Sequence, residues 1–132
     1  MTVTIWHNPK CGTSRNALAM IRATGVEPVI VDYQKTVPDP ATLAAVAACV
    51  GGAKALLRIK GTPASELGLD TATDAVILAA MQDQPILIDR PVMISPRGTV
   101  LARPSERVLE LLDGTLPETF VKEDGKPVTP PA

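Results

Sequence analysis

The pattern of apolar and polar positions predicts a strand, a helix and a second strand near the start of the chain. Residues 2–6 alternate with the period of a strand, and Asn8-Pro9 ends it because proline lacks a ladder N–H donor. Apolar side chains on one helical face then predict a helix over 12–24, with Gly25 as its end. Residues 29–31 are apolar throughout, which predicts a strand covered on both faces.

The rest of the chain predicts a helical block, two strands and a last helix. Helical patterns occur in the middle, at residues 40–50, 53–59 and 72–81. Two short apolar runs predict one bent strand, at residues 86–88 and 92–94. Ser95-Pro96-Arg97-Gly98 suits a tight turn, after which residues 99–102 return antiparallel. Ser105 is the predicted N-cap of the last helix, and Gly114 is its predicted end.

This order of elements predicts an α/β fold with a thioredoxin-like mixed sheet, arranged as βαβ, a helical insertion and ββα. A chain of 132 residues suits one domain, which we expect to cover residues 1–132. Within it we expect the helical insertion at about 40–82. A polar, proline-rich tail is expected at about 120–132, lying on the surface or frayed.

Composition excludes several classes of function. Basic and acidic residues nearly balance, at 13 and 14, so no overall positive field favours nucleic acid. No apolar run is long enough to span a membrane, and the first residues lack the pattern of a signal peptide. Two cysteines do not make a disulfide framework. We therefore predict a cytoplasmic protein with reduced thiols, no metal site, and neither nucleic acid nor membrane as a partner.

Cys11 is the candidate nucleophile, because it lies where a helix follows a strand. Free N–H groups and the helix dipole at that position favour a thiolate. Lowering the pKa of a thiol by two units requires about 2.7 kcal/mol, whereas a helix end supplies roughly 0.3–1 kcal/mol. Further positive charge or hydrogen bonds are needed, and the candidates are His7, Arg15 and arginines distant in the sequence.

The segment Cys11-Gly12-Thr13-Ser14 has the form C-x-x-S. Serine cannot form a disulfide, so the nucleophile has no local partner, which implies that an external thiol completes any redox cycle. The other cysteine, Cys49, could in principle act as the resolving thiol. It lies in an alanine-rich helical pattern, however, where we expect a small, buried, structural residue.

Two Arg-Pro pairs, Arg90-Pro91 and Arg103-Pro104, flank the predicted turn. A two-residue turn places the arginines opposite each other, and a three-residue turn offsets them by one position. Two like charges side by side favour an anion between them, and the guanidinium fork suits oxyanions. The alternative is a pair of ordinary surface arginines. Arg58 is also unusual, because its segment is otherwise apolar.

The residues around Cys11 resemble the active-site loop of the glutathione- and glutaredoxin-coupled arsenate reductases. The likeness begins with Ile5-Trp6-His7-Asn8-Pro9-Lys10-Cys11-Gly12-Thr13-Ser14-Arg15-Asn16. It continues, in order along the chain, at residues 55–58, 85–91, 101–106 and 122–125. Small departures are Trp6, where the family usually has tyrosine, and a short, proline-rich end.

The resemblance implies a thioredoxin-like fold and the reduction of arsenate to arsenite. The cysteine that matches Cys11 forms a thiol–arsenic adduct, which glutathione joins and glutaredoxin reduces. No bound cofactor is implied, since glutathione is a co-substrate. The family's oxyanion-binding arginines fall on Arg58, Arg90 and Arg103, His7 helps to ionise the cysteine, and the Arg90–Pro91 bond is cis. The supporting loop is Asn8, Gly12, Thr13, Ser14 and Arg15.

Two alternatives share this fold. One is a redox-responsive transcriptional regulator of the Spx type, which typically carries C-x-x-C and binds RNA polymerase. Ser14 argues against that redox switch. The other is a glutathione-dependent thiol reductase of a different substrate, and the three arginines then favour an oxyanion.

Overall fold

The computed structural model describes residues 2–128 and forms two compact units. The first unit consists of the chain up to Asp32 and from Arg90 onward. The second unit is Tyr33–Asp89 and contains the predicted helical insertion. Residues 129–132 of the predicted tail lie outside the described residues.

The first unit contains a mixed four-stranded sheet. Its strands are β1 (Thr4–His7), β2 (Val29–Asp32), β3 (Val92–Ser95) and β4 (Gly98–Leu101), in the order β2-β1-β3-β4. β1 and β2 are parallel, whereas β3 is antiparallel to both β1 and β4. The predicted α/β fold with a mixed sheet is therefore confirmed.

The β3–β4 hairpin has a two-residue turn, since Ser95 pairs with Gly98. The pairing continues past the strands, where the Ala102 N–H donates to the Pro91 carbonyl at 2.9 Å. Residues 90 and 103 thus lie opposite each other, as a two-residue turn predicts. The Arg90–Pro91 peptide is cis, which confirms what the resemblance implies, and Arg103–Pro104 is cis as well.

An aliphatic core joins the sheet to two helical elements, α1 (Gly12–Ala23) and a 3₁₀ helix (Ser105–Leu111). Burying apolar side chains is the main favourable contribution to such packing. The buried members of this core are Val3, Ile5, Ala17, Met20, Ile21, Met93, Val100, Ala102, Val108 and Leu112. Gly25 follows α1 with a φ of 98°, which fits its predicted role at the helix end.

Two strand predictions are wrong. β2 is an edge strand rather than one covered on both faces, and Val29 and Ile30 are 53% and 43% exposed. Residues 86–88 do not extend β3, because Pro85–Leu87 is a 3₁₀ helix. Their backbone groups instead bond to the segment around Leu57, which pairs with Ile88 in an isolated bridge.

The second unit contains three α-helices: α2 (Pro40–Cys49), α3 (Ala53–Leu56) and α4 (Asp74–Asp83). Asp39 caps α2 by accepting the Thr42 N–H at 2.8 Å. Cys49, the last residue of α2, is exposed, so the expectation of a buried cysteine is wrong. None of the helices in residues 2–128 is long and apolar enough to cross a membrane.

The last helix begins and ends differently from the prediction. Ser105 is its first residue rather than its N-cap, and its hydroxyl bonds to the Glu106 carboxylate at 2.9 Å. The helix ends at Leu111, three residues before Gly114. Gly114 is needed for another reason: a Cβ there would lie 2.5 Å from the Thr24 carbonyl oxygen at the end of α1.

We predict that Gly114→Ala destabilises the protein by about 1–3 kcal/mol, because the added methyl group forces two backbone segments apart. Urea unfolding followed by circular dichroism measures the loss. Gly12→Ala is the matched control, because its Cβ would meet only the ends of two flexible side chains, a Glu123 carboxylate oxygen at 3.0 Å and the Arg15 Nη2 at 3.6 Å. Equal stability of Gly114→Ala and the wild type would contradict the role assigned to this close approach.

Candidate active site around Cys11

A tight turn after β1 presents Cys11 at the start of α1. The Cys11 N–H donates to the Asn8 carbonyl at 3.0 Å, with Pro9 at the second position of the turn. The Asn8 side chain accepts the Lys10 N–H, also at 3.0 Å. Cys11 is the N-cap residue of α1, with extended φ and ψ of −99° and 121°. The predicted position of the cysteine at a helix N-terminus is confirmed.

The sheet brings two arginines to this turn. β1 and β3 are antiparallel, with Trp6 opposite Val92, so the loop that follows β1 lies at the sheet end where Arg90 precedes β3. Arg103 follows β4 at the same end, by the register of the hairpin. Its Nη1 lies 3.8 Å from the Cys11 sulfur and also donates to the Arg90 carbonyl, at 2.9 Å.

These surroundings favour the thiolate. Burial raises the pKa of Cys11, but the backbone N–H of Ser14 and the side chains of Arg90 and Arg103 outweigh it, so the pKa is lowered overall. The expectation that the helix end needs help from further donors and charges is in line with this balance. Two of the arginines noted in the sequence supply part of that help.

His7 is bound to Ser14. Its Nδ1 lies 2.6 Å from the Ser14 Oγ, which also accepts the Asn8 N–H at 3.0 Å. Ser14 is fully buried and His7 nearly so. Burial lowers the pKa of His7, although the nearby Asp32 carboxylate raises it in part. The neutral ring is therefore favoured at neutral pH, and the Ser14 hydroxyl fixes its orientation.

Arg15 connects the turn to the C-terminal segment. Its guanidinium donates to the Pro9 carbonyl at 2.8 Å and binds both carboxylate oxygens of Glu123, at 2.8 and 2.9 Å. The Glu123 N–H donates to the Asn16 side chain at 3.0 Å. Residues 121–127, which we call the C-terminal strap, are closed by a bridge between Val121 and Pro127. The strap is thus tied to α1 rather than frayed.

Arg58 belongs to the second unit. Its guanidinium lies 3.5 Å from the Asp89 carboxylate, and both side chains are largely buried. Its Nε donates to the Lys60 carbonyl at 3.2 Å. The backbone N–H of Arg58 donates to the Leu87 carbonyl at 2.8 Å, which holds this segment in place.

A comparison with protein families matches residues 6–111 to the ArsC family, a range that includes the turn, α1 and both Arg-Pro pairs. The chain belongs to the ArsC family. Arsenate reductase from Rhizobium meliloti is 52% identical, over 97% of this chain and 94% of the relative. Arsenate reductase from Escherichia coli K12 is 48% identical, over 96% and 92%.

A solved structure shares the ArsC fold. Arsenate reductase from Vibrio cholerae superimposes with a TM-score of 0.79 at 35% identity, covering 85% of this chain and 98% of that one. The α/β, thioredoxin-like fold expected from the order of elements is therefore shared with an arsenate reductase.

The structure gathers most of the residues singled out in this ArsC chain. His7, Asn8 and the helix start at Cys11, Gly12, Thr13, Ser14 and Arg15 lie in one continuous segment, with Arg90 and Arg103 beside the sulfur. Sequence reasoning missed Glu123, whose partner is 108 residues away. The residues 122–125 were part of the resemblance, but no sequence signal paired that carboxylate with Arg15. Among residues 2–128, no cluster of three or more His, Cys, Asp or Glu side chains is suited to a metal ion.

Proposed function

We propose that the protein reduces arsenate to arsenite, with Cys11 as the nucleophile and glutathione and glutaredoxin as reductants. The observation that carries the proposal is the thiol at the N-terminus of α1, 3.8 Å from the Arg103 guanidinium, in a chain of the ArsC family. We place the reaction in the cytoplasm, where thiols are kept reduced.

The first step uses the thiolate that the helix start and the arginines favour. The Cys11 sulfur attacks arsenic(V), and a hydroxyl group takes up a proton from the solvent and leaves as water, while Arg90 and Arg103 hold the remaining oxygens. The thiol of glutathione then displaces a second hydroxyl group. A glutaredoxin thiolate attacks the glutathione sulfur, and the electron pair of the sulfur–arsenic bond stays on arsenic. Arsenic is thereby reduced to the trivalent state, and hydrolysis releases arsenite and restores Cys11.

In this proposal His7 acts on Cys11 through Ser14. The Ser14 hydroxyl is held between His7 and the Asn8 N–H, and the backbone N–H of the same serine favours the thiolate. The neutral ring of His7 therefore keeps Ser14 in position instead of supplying a positive charge. Asn8 and Thr13 complete the supporting loop.

Arg58 is included as an arsenate-binding residue on the strength of the family resemblance. We predict that Arg58→Ala raises the KM for arsenate by about tenfold, the effect expected from losing one charged hydrogen-bond donor. Steady-state kinetics with varied arsenate measures it. Lys60→Ala is the matched control, because it removes a positive charge two residues away on an exposed side chain. Unchanged kinetic constants in Arg58→Ala would remove Arg58 from the site.

Arsenate-dependent oxidation of NADPH tests the proposed function. The assay contains the protein, glutathione, glutaredoxin and glutathione reductase, and Cys11→Ser is the reference. A rate no higher than that of this variant would refute arsenate reduction. Activity on another oxyanion under the same conditions would favour the thiol reductase of a different substrate. Binding to RNA polymerase without reductase activity would favour the regulator.

A further inference from the structure

The ion pair between Arg15 and Glu123 lies beside the nucleophile. A Cβ atom on Gly12, the residue after Cys11, would be 3.0 Å from a Glu123 carboxylate oxygen and 3.6 Å from the Arg15 Nη2. The pKa of Arg15 is raised chiefly by its hydrogen bonds to Glu123, with a further contribution from the charge of Cys11. The Arg15 guanidinium, at the edge of the active site, thus already binds a carboxylate of the protein, that of Glu123.

We propose that Arg15 binds a carboxylate of the thiol co-substrate, and that the Glu123 carboxylate occupies this place in the free protein. The inference rests on the proposed function, because it takes the co-substrate to be a thiol that carries carboxylates, as glutathione does. Glu123 would leave when the thiol arrives. It would return when the thiol departs.

The pair is placed for such an exchange. The side chains of Arg15 and Glu123 are 45% and 43% exposed, and ion pairs open to water contribute little to stability. The guanidinium fork binds either carboxylate with the same two-bond geometry. Exchange therefore leaves Arg15 paired throughout, while the Glu123 side chain passes into water.

The strap does not have to open for this exchange. Lys122 binds the Glu106 carboxylate at 3.1 Å, and the two side chains are only 17% and 6% exposed. The backbone N–H of Glu123 donates to the side-chain oxygen of Asn16, so this contact does not involve the Glu123 side chain. Rotation of the Glu123 side chain therefore frees Arg15 while these two contacts keep the strap in place.

Thiol–disulfide exchange at Cys11 tests the inference without arsenate. The Cys11 thiolate attacks one sulfur of glutathione disulfide, the S–S bond breaks, and a glutathione thiolate leaves. Mass spectrometry follows the mixed disulfide, in a Cys49→Ser background so that Cys11 is the sole target. The same rate constant is measured with hydroxyethyl disulfide, which carries no charge. The rate constant for glutathione disulfide is then divided by that for hydroxyethyl disulfide. This ratio removes the effects of a substitution on the reactivity of the Cys11 thiolate itself.

The expected changes in this ratio have opposite signs. Arg15→Gln lowers it by about threefold, and Glu123→Gln raises it by about threefold, as fits one exposed ionic contact. The double variant has the same ratio as Arg15→Gln, because removing the Glu123 carboxylate has no effect when Arg15 is absent. Asp124→Asn is the matched control: it removes one negative charge from the next residue of the strap, and we expect the ratio to stay unchanged.

Three results would overturn the inference. A lower or unchanged ratio in Glu123→Gln would mean that the ion pair only ties the strap to α1. An equal rise in Asp124→Asn would show a general effect of charge rather than an exchange at Arg15. An unchanged ratio in Arg15→Gln would remove the binding residue. The disulfide-exchange assay contains no arsenate, so its outcome does not depend on arsenate reduction. Failure of the proposed reductase activity is detected independently, in the NADPH assay.

Discussion

Cys11→Ser is expected to lower the arsenate-dependent rate by at least about 10³-fold, because the reaction then has no nucleophile that ionises near neutral pH. The hydroxyl group fits the same space at the start of α1, so the turn from Asn8 and the nearby arginines keep their places. Arsenate binding, measured by calorimetry, is therefore expected to persist while turnover is lost.

The second cysteine provides the control for this result. Cys49 is exposed at the end of α2, and Cys49→Ser is expected to keep most of the activity. Loss of activity in Cys49→Ser with the fold preserved would make Cys49 a resolving thiol and remove the need for an external one. Full activity in Cys11→Ser would contradict the assignment of the nucleophile.

Arg103→Ala is expected to lower kcat by about 10²-fold, the typical effect of removing one donor that faces a developing charge. The same change is expected to raise the pKa of Cys11, because the Arg103 guanidinium favours the thiolate. Alkylation by iodoacetamide as a function of pH measures that pKa. The alkylation curve of Arg103→Ala therefore lies at higher pH than that of the wild type.

Two further variants separate charge from geometry. Arg103→Lys keeps the charge but not the fork, so the pKa of Cys11 should move less than in Arg103→Ala while kcat still falls. Arg97 lies in the turn at the other end of the hairpin and pairs with Asp113. Arg97→Ala should therefore change neither the pKa of Cys11 nor kcat. An alkylation curve for Arg103→Ala that coincides with the wild type would show that Arg103 does not stabilise the thiolate.

The sequence was informative where a local rule determines the structure. Asn8-Pro9 and the helical pattern after it placed Cys11 at a helix start, and a short proline-containing turn brought Arg90 and Arg103 to the same end of the hairpin, whereas their exact register needed the structure. These features depend on backbone geometry within a few residues. The mixed sheet followed from the order of the elements, since a βαβ unit fixes one parallel pair.

Other features depend on partners far along the chain. The apolar run at residues 29–31 has the composition of a central strand, yet its place at the sheet edge is set by where β3 joins. Residues 86–88 bond to the segment around Leu57 instead of extending β3, and no local pattern marks that choice. Glu123 was missed for the same reason, because exposed acidic side chains have many possible partners.

The two-residue turn between β3 and β4 sets a limit on how the hairpin can vary. Side chains alternate between the two faces of a strand, so one inserted residue turns every following side chain to the opposite face. The position of Arg103 beside the sulfur thus depends on the number of residues between β3 and β4, not on which residues they are. Pro96 and Arg97 are free to change in kind, whereas the length of their turn is fixed by an active site at the other end of the hairpin.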